Sequence, residues 1–315
     1  MPPILKKIAS RHSIGEWYGK DLQKYTPLER QEMALAELKV KDGTGKGCPF
    51  RGLKECKKKG GVCSLRSYRS LDEGALGFDS PIAICPNRLL EGGLIYQWVG
   101  EVLLGSSEPV VLSEIGFLDR LKRVQPSDLD VEDPEDVIGR IDNVLLHPER
   151  KPIDWCALEL QAVYFSGQAM SNEFKLLSSW TAHNPPFPAS QRRPDWRSSG
   201  PKRLLPQLQT KTPTIRTWGK KIAVVIDEPF FNSLIGLDPA NEERYLSNAE
   251  VVWFIVGYDP CPINGWKLAK RRFVQTKLET SVRALTGGVP LSKEVFEEKL
   301  IAKLKKNNPH HGLLK

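Results

Sequence analysis

Asp142 and the triplet Glu159-Leu160-Gln161 are the residues of this chain whose types and spacing best suit chemistry. Residues 138–146 read as a strand carrying one acid, and residues 154–165, after a short polar turn, as a second strand carrying another. Side chains alternate along a strand, so Glu159 and Gln161 share one face while Leu158 and Leu160 take the other. An acid, about one hairpin, then acid-x-polar is the layout of a metal-dependent phosphodiesterase. Two carboxylates hold Mg²⁺, which activates a water and neutralises charge growing on the phosphate. The plain alternative is an acid at a strand edge or beside a basic partner. Both strands are otherwise apolar enough to be buried, and a buried carboxylate is costly unless it is paired or holds a metal.

Four cysteines form the second set. Cys48, Cys56, Cys63 and Cys85 punctuate a Gly- and Lys-rich segment with little apolar content of its own. Four thiolates closing on one ion would staple such a segment. The spacings match no common zinc finger. Two disulfides or four free thiols are the alternatives, and a reducing cytosol argues against disulfides. Cys156 and Cys261 fall in apolar runs and read as core.

These residues need elements to position them. Thr26 to Glu29 is a capping box with proline at the first helical position, predicting a helix from about 27 to 39. Residues 89–104 carry apolar residues at helical spacing. Residues 109–117 read as a short strand with an embedded acid, Glu114. Residues 124–137, with six acids and two prolines, read as a polar connection. Residues 172–181 read as helix or loop, 221–227 and 251–257 as strands, and Asp238-Pro239 as a helix start. Near the C-terminus, Leu291 and Phe296 flank Ser292 as staple and cap. Phe296, Leu300 and Leu304 then line one helical face, followed by a basic tail. No internal repeat is present. The expected fold is a mixed α/β enzyme core with an inserted metal module: residues 1–42 a helical segment, 43–90 the cysteine module, 91–315 the core.

The chain has 315 residues, 46 Lys and Arg against 38 Asp and Glu, and a net charge of +8. No run approaches the ~18 apolar residues that span a bilayer, and the first residues lack an apolar targeting core, so a cytoplasmic protein with no membrane partner is expected. The positive charge is concentrated. Residues 191–221 hold nine Lys or Arg against one Asp, with Trp196, Trp218 and four prolines. A proline-rich basic segment is expected to run over the surface as loops (about 185–221), and bases interleaved with Trp suit a polyanion groove. A solvated linker is the alternative.

The sequence resembles the NotI-type restriction endonucleases, a branch of the PD-(D/E)xK nuclease superfamily. The resemblance rests on Cys-Pro-Phe (48–50), Gly-Gly-Val-Cys-Ser-Leu-Arg (60–66), Ile-Cys-Pro-Asn-Arg (84–88), Arg-Ile-Asp-Asn-Val-Leu (140–145) and Ala-Leu-Glu-Leu-Gln-Ala-Val (157–163). It continues through Leu-Pro-Gln-Leu (205–208) and Trp-Gly-Lys-Lys (218–221). It implies a mixed sheet flanked by helices, with Asp142 and Glu159 as metal-binding acids and Gln161 where most of the superfamily has lysine. It also implies the Leu160 carbonyl as a further ligand and Glu114 as an upstream acid, a strand-edge acid being the alternative. Cys48, Cys56, Cys63 and Cys85 would hold one iron, with zinc as the alternative. Lys57, Lys58, Lys59, Arg66 and Arg69 would meet phosphates; a solvated run is the alternative. Arg192, Arg193, Arg197, Lys202, Arg203 and Lys211 are candidates for contacts to guanine or phosphate.

The activity implied is that of a type II restriction endonuclease. A homodimer would cut double-stranded DNA at a GC-rich palindrome, with GGCC as a candidate core, leaving 5′-phosphate and 3′-hydroxyl ends. A DNA methyltransferase is expected in the same cell. Two rivals stand beside it: an iron–sulfur nuclease of DNA repair, and a non-catalytic DNA-binding protein whose metal module docks the duplex.

Overall fold

The computed structural model describes residues 10–39, 45–71, 75–119, 137–237, 242–288 and 291–307. Most of the acidic connection, the Asp238-Pro239 helix start and the end of the basic tail lie outside them.

The chain opens with strand β1 (Ser10–Trp17), the short β2 (Lys20–Asp21) and helix α1 (Pro27–Lys39). The capping box forms as expected: the Glu29 N–H donates to Thr26 Oγ1, and the Thr26 N–H donates to Glu29 Oε2. Then come β3 (Val62–Ser70), β4 (Leu76–Phe78) and β5 (Ile82–Ala83). These strands make a five-stranded sheet in the order β2-β1-β3-β4, with β5 also on β3. All its pairings are antiparallel. Residues 1–42 are therefore not a purely helical segment. The cysteine segment does not stand apart as an insert either, because β3 draws its hydrogen bonds from β1. The sequence hides β1 because two of its five buried residues, Ser13 and Glu16, are polar, and Glu16 is met by Ser64 and Arg88 from far along the chain.

A 3-10 segment (Pro86–Gly93) leads into α2 (Leu94–Leu103), where one continuous helix was expected. Glu91 and Gly92 leave helical geometry and break it. The main sheet has six strands: β6 (Val110–Asp119), β7 (Val137–Leu146), β8 (Trp155–Leu160), β11 (Ile222–Asp227), β12 (Val251–Cys261) and β13 (Gly265–Thr276). Between β8 and β11 lie β9 (Phe165–Gly167), α3 (Ser171–Leu177), β10 (Arg192–Pro194), α4 (Trp196–Ser199) and α5 (Leu205–Thr217). Helices α6 (Glu228–Ser233), α7 (Leu278–Thr286) and α8 (Lys293–Asn307) complete the described chain.

The six-stranded order is β13-β12-β11-β8-β7-β6. Strands β8, β11 and β12 run parallel and the flanking pairs antiparallel. Strand β11 is buried along its whole length, as a parallel strand covered on both faces must be. On one face Ala157, Val224 and Trp253 pack with Leu208 and Ile215 of α5, Phe230 of α6 and Leu285 of α7. On the other, Leu158, Val225 and Phe254 pack with Ile95, Trp98 and Val99 of α2. The mixed sheet flanked by helices matches the expectation. Strand β13 and α7 were not anticipated. Helix α8 forms where expected, but none of its residues is buried.

Two buried arginines fasten the small sheet to the large one. Arg66 of β3 makes a bidentate pair with Asp21 (2.7 and 3.0 Å), and Asp21 also accepts from Trp266 Nε1 of β13 at 2.7 Å. Arg88 donates to Glu16 of β1 (2.7 Å) and to Glu91 (2.8 Å), whose carboxylate accepts the Leu268 N–H of β13. Arg66 is thus a bolt within the fold, lodged against Tyr68 and Phe78, and not a phosphate contact. Removing one partner of such a pair leaves a buried charge uncompensated. Arg88→Met is expected to lower the unfolding free energy by about 3–5 kcal/mol, read from urea denaturation. An unchanged midpoint would show that Glu16 is not buried as described.

Candidate active site at the parting of two strands

The candidate site is made where β7 and β8 diverge. Their last paired residues are Asn143 and Leu158. Asp142 and Glu159 sit just beyond, at the carboxyl end of β8, and strand ends in parallel sheets are where ligands usually bind. The Leu160 N–H donates to Asp142 Oδ2 at 2.9 Å, so the aspartate spans the gap. Glu159 is 1% exposed. Its Oε1 accepts from Lys211 Nζ of α5 at 2.7 Å, and its Oε2 is buried without a hydrogen-bond partner.

Burial, then the charge of Asp142, pushes Glu159 up to about 7; Lys211 pulls the other way. Asp142 is raised by burial and, to a lesser degree, by Glu114, against the opposing pull of the Leu160 N–H and Lys211. Two neighbouring acids, both raised and one of them by the charge of the other, with an orphaned buried oxygen on Glu159, form a donor set that a divalent cation would relieve.

Gln161 lies just past β8. Its backbone N–H donates to Val225 O of β11, and its side-chain Nε2 donates to Ala162 O at 2.6 Å. Glu114 sits in β6 with φ +56°, a left-handed backbone rare for a side chain of its size. Its carboxylate is exposed and 4.0 Å from Arg140. Asp142, Leu160, Gln161 and Glu114 all line one groove of about 1050 Å³, into which Lys202 and Arg203 also project. On the opposite face of β7, Asn143 Oδ1 accepts from Tyr96 of α2 and Ser113 of β6, which holds the strand carrying Asp142 against both neighbours.

Cys48, Cys63 and Cys85 are buried and Cys56 partly so; all are free thiols. The Cys48 carbonyl accepts from the N–H groups of Arg51 and Leu53, and the Cys85 carbonyl from Arg88, so each Cys-Pro-x-Arg run folds into a tight turn. The Cys63 carbonyl accepts from Ile84 and Cys85, which ties the third cysteine to the fourth. Gly61, with φ +61°, lets the chain pass Tyr18, where a Cβ would come within 2.2 Å of the ring. Cys85 is raised by burial and, more weakly, by Cys48 and Cys56, so these thiols lie within reach of one another's charge. Among the described residues, no three His, Cys, Asp or Glu side chains are gathered tightly enough to hold a metal as they stand. The soft donor set itself suits iron or zinc.

A family model described as restriction endonuclease NotI matches residues 36–267. The chain belongs to the NotI restriction endonuclease family. A comparison with curated proteins gives no match. The matched span holds the four cysteines, both strand acids and the whole basic segment. Strand β1 and helices α7 and α8 lie outside it.

In this NotI-family chain the basic segment is not a set of surface loops. It contains strand β10, helix α4, a π turn at Gly200–Leu204 and helix α5, with Pro213 inside α5. Prolines 201 and 206 stand in first-turn positions, where a missing N–H costs no helical bond. The six basic candidates therefore part company. Arg193, Arg197, Lys202 and Arg203 are exposed, and Arg203 lies over the Tyr164 ring. Arg192 is instead buried, paired with Glu173 at 2.8 Å and donating to Gln168 O and Ala169 O. Lys211 is buried on Glu159, so it is a member of the acid site and not an outer phosphate contact. A lysine at i+4 from Gln207 on a mostly apolar helix face was the available signal. Among the lysines of the cysteine segment, Lys57 and Lys59 are exposed, while Lys58 donates to Ile84 O. Arg69 is exposed and paired with Asp79.

This division is measurable. Arg192→Ala should destabilise the fold by about 3–5 kcal/mol, whereas Arg193→Ala should leave urea stability within about 0.5 kcal/mol. Equal, small effects would place Arg192 at the surface.

Proposed function

We propose that this chain is a type II restriction endonuclease: a Mg²⁺-dependent, PD-(D/E)xK-type nuclease that cuts both strands of duplex DNA at a GC-rich palindrome. One observation carries the reading. In a NotI-family chain, two carboxylates meet at the end of adjacent central strands, one with an orphaned buried oxygen, beside a groove that also presents exposed bases.

Asp142 and Glu159 would hold the cation, with the Leu160 carbonyl and Glu114 as further donors. Bound there, Mg²⁺ supplies a Lewis acid and lowers the pKa of water. The protein's own groups do the rest. The Leu160 N–H keeps Asp142 turned toward Glu159. Lys202 and Arg203 neutralise backbone phosphates along the groove. Gln161 orients without adding charge. The reaction joins a water oxygen to phosphorus and breaks the bond to O3′, leaving a 5′-phosphate and, after proton uptake, a 3′-hydroxyl. A palindromic site calls for two copies related by a two-fold axis, and an active enzyme calls for a methyltransferase that protects the host DNA. The cysteine segment, closing its four thiols on one iron or zinc, would brace the loops at Pro49 to Lys54 that form the groove's other wall.

One observation favours the rival of a non-catalytic DNA-binding protein: the Lys211 ammonium already compensates Glu159 without a metal. The two readings separate in a digest of unmethylated DNA. Discrete fragments with Mg²⁺ and none with EDTA are expected, and Asp142→Ala should cut at least about 1000-fold more slowly with DNA binding retained. Salt-sensitive binding without scission would decide for the rival. Elemental analysis should find one iron or zinc per chain, lost in Cys63→Ser. Acid-labile sulfide would point to a cluster instead.

A further inference from the structure

Resting on the nuclease reading above, one deficit stands out. Gln161 occupies the place where most of the superfamily carries a lysine, and its amide is turned onto the carbonyl of the next residue, Ala162. It brings no positive charge to the acids.

A lysine is nevertheless present, delivered from the opposite layer. Lys211 leaves α5, passes between Leu208 and Ile215 on the helix's core face, and places Nζ 2.7 Å from Glu159 Oε1. Both side chains are almost fully buried, 6% and 2% exposed. Gln207, one turn earlier, accepts from the same Nζ at 3.3 Å and itself lines the groove. Apolar packing does not ask for a lysine here, since Leu208 and Ile215 on either side belong to the hydrophobic core. The geometry of the helix is also specific. Residues 196–217 run as α4, a π turn and α5, and π turns inside helices recur at functional sites.

We propose that Lys211 is the catalytic lysine of this enzyme, moved from strand β8 to helix α5, with Gln161 left as an uncharged spacer. Nζ rests on Glu159, with Gln207 of the groove lining as its second acceptor. Asp142 and Glu159 would hold the cation, which would supply a Lewis acid, and Nζ, sharing Glu159 with it, would turn along Gln207 toward the scissile phosphate. There its fixed charge stabilises the negative charge that grows on a non-bridging oxygen during attack. The proton that completes the 3′-hydroxyl comes from solvent.

The experiment compares single-turnover cleavage at saturating duplex DNA for wild type, Lys211→Met, Lys211→Arg and the double variant Lys211→Met with Gln161→Lys. Lys211→Met should lose about 100- to 1000-fold in rate while binding DNA in EDTA as tightly as wild type. The double variant, with lysine back on the strand, should regain at least about tenfold in rate relative to a Lys211→Met protein of equal urea stability, so that the recovery reads catalysis and not repair of the ion pair. The double variant also keeps the inference falsifiable if Lys211→Met alone fails to fold, because it restores a cation beside Glu159. Wild-type-like cleavage by Lys211→Met, or no recovery in a folded double variant, overturns the inference and leaves the nuclease reading standing. A wild type that does not cut at all overturns both.

Discussion

Two carboxylates set side by side at the parting of β7 and β8 impose the constraint to which the surrounding fold responds. Placing Glu159 inside a covered sheet costs several kcal/mol unless its charge is met. The sheet meets part of that cost through the Asp142 backbone N–H, and helix α5 meets more of it with Lys211. One oxygen of Glu159 still has no partner. The approach of α5 follows from this need. A helix with ordinary apolar packing could slide along the sheet, but one carrying Lys211 must stop where Nζ reaches Glu159.

The small sheet answers a different constraint. The chain from Gly45 to Gly61 offers almost no apolar surface, so it cannot fold by burial alone. It is held by what it is attached to: β3 pairs with β1, and Arg66 and Arg88 carry that sheet onto β13 and the 3-10 segment. Buried guanidinium pairs of this kind contribute orientation more than net stability. Their geometric consequence is that the Cys48 turn stands at the wall of the same groove that Asp142 enters from below. Pro86 and Asn87, which directly follow Cys85, line that groove as well.

Much of the main sheet was legible. Strands β7, β11 and β12 follow from apolar runs, and α1 from its capping box, because local pattern and tertiary fate agree there. The 3-10 segment was read as part of one long helix, since Gly92 interrupts a spacing that is otherwise helical. Strand β1 does not show in the pattern because its buried residues include the polar Ser13 and Glu16, and the partners of Glu16 lie about fifty to seventy residues away. Residues 191–221 were read as loops because proline counts against helix, yet two of those prolines fall where helices tolerate them.

The sequence by itself determined the chemistry available: two acids on neighbouring strands, four thiols, and a surplus of base, all matched by a family model that spans them. Those signals are local in the chain, so composition and spacing carry them. Only the tertiary structure decided which bases face outward and which are spent inside. Arg192, Arg193, Lys202 and Lys211 belong to one segment in sequence, but the first pairs with Glu173, the last with Glu159, and the middle two remain exposed. All four carry a long basic side chain. What separates them is whether an acid from another element waits within 3 Å in the interior, and tertiary packing sets that distance.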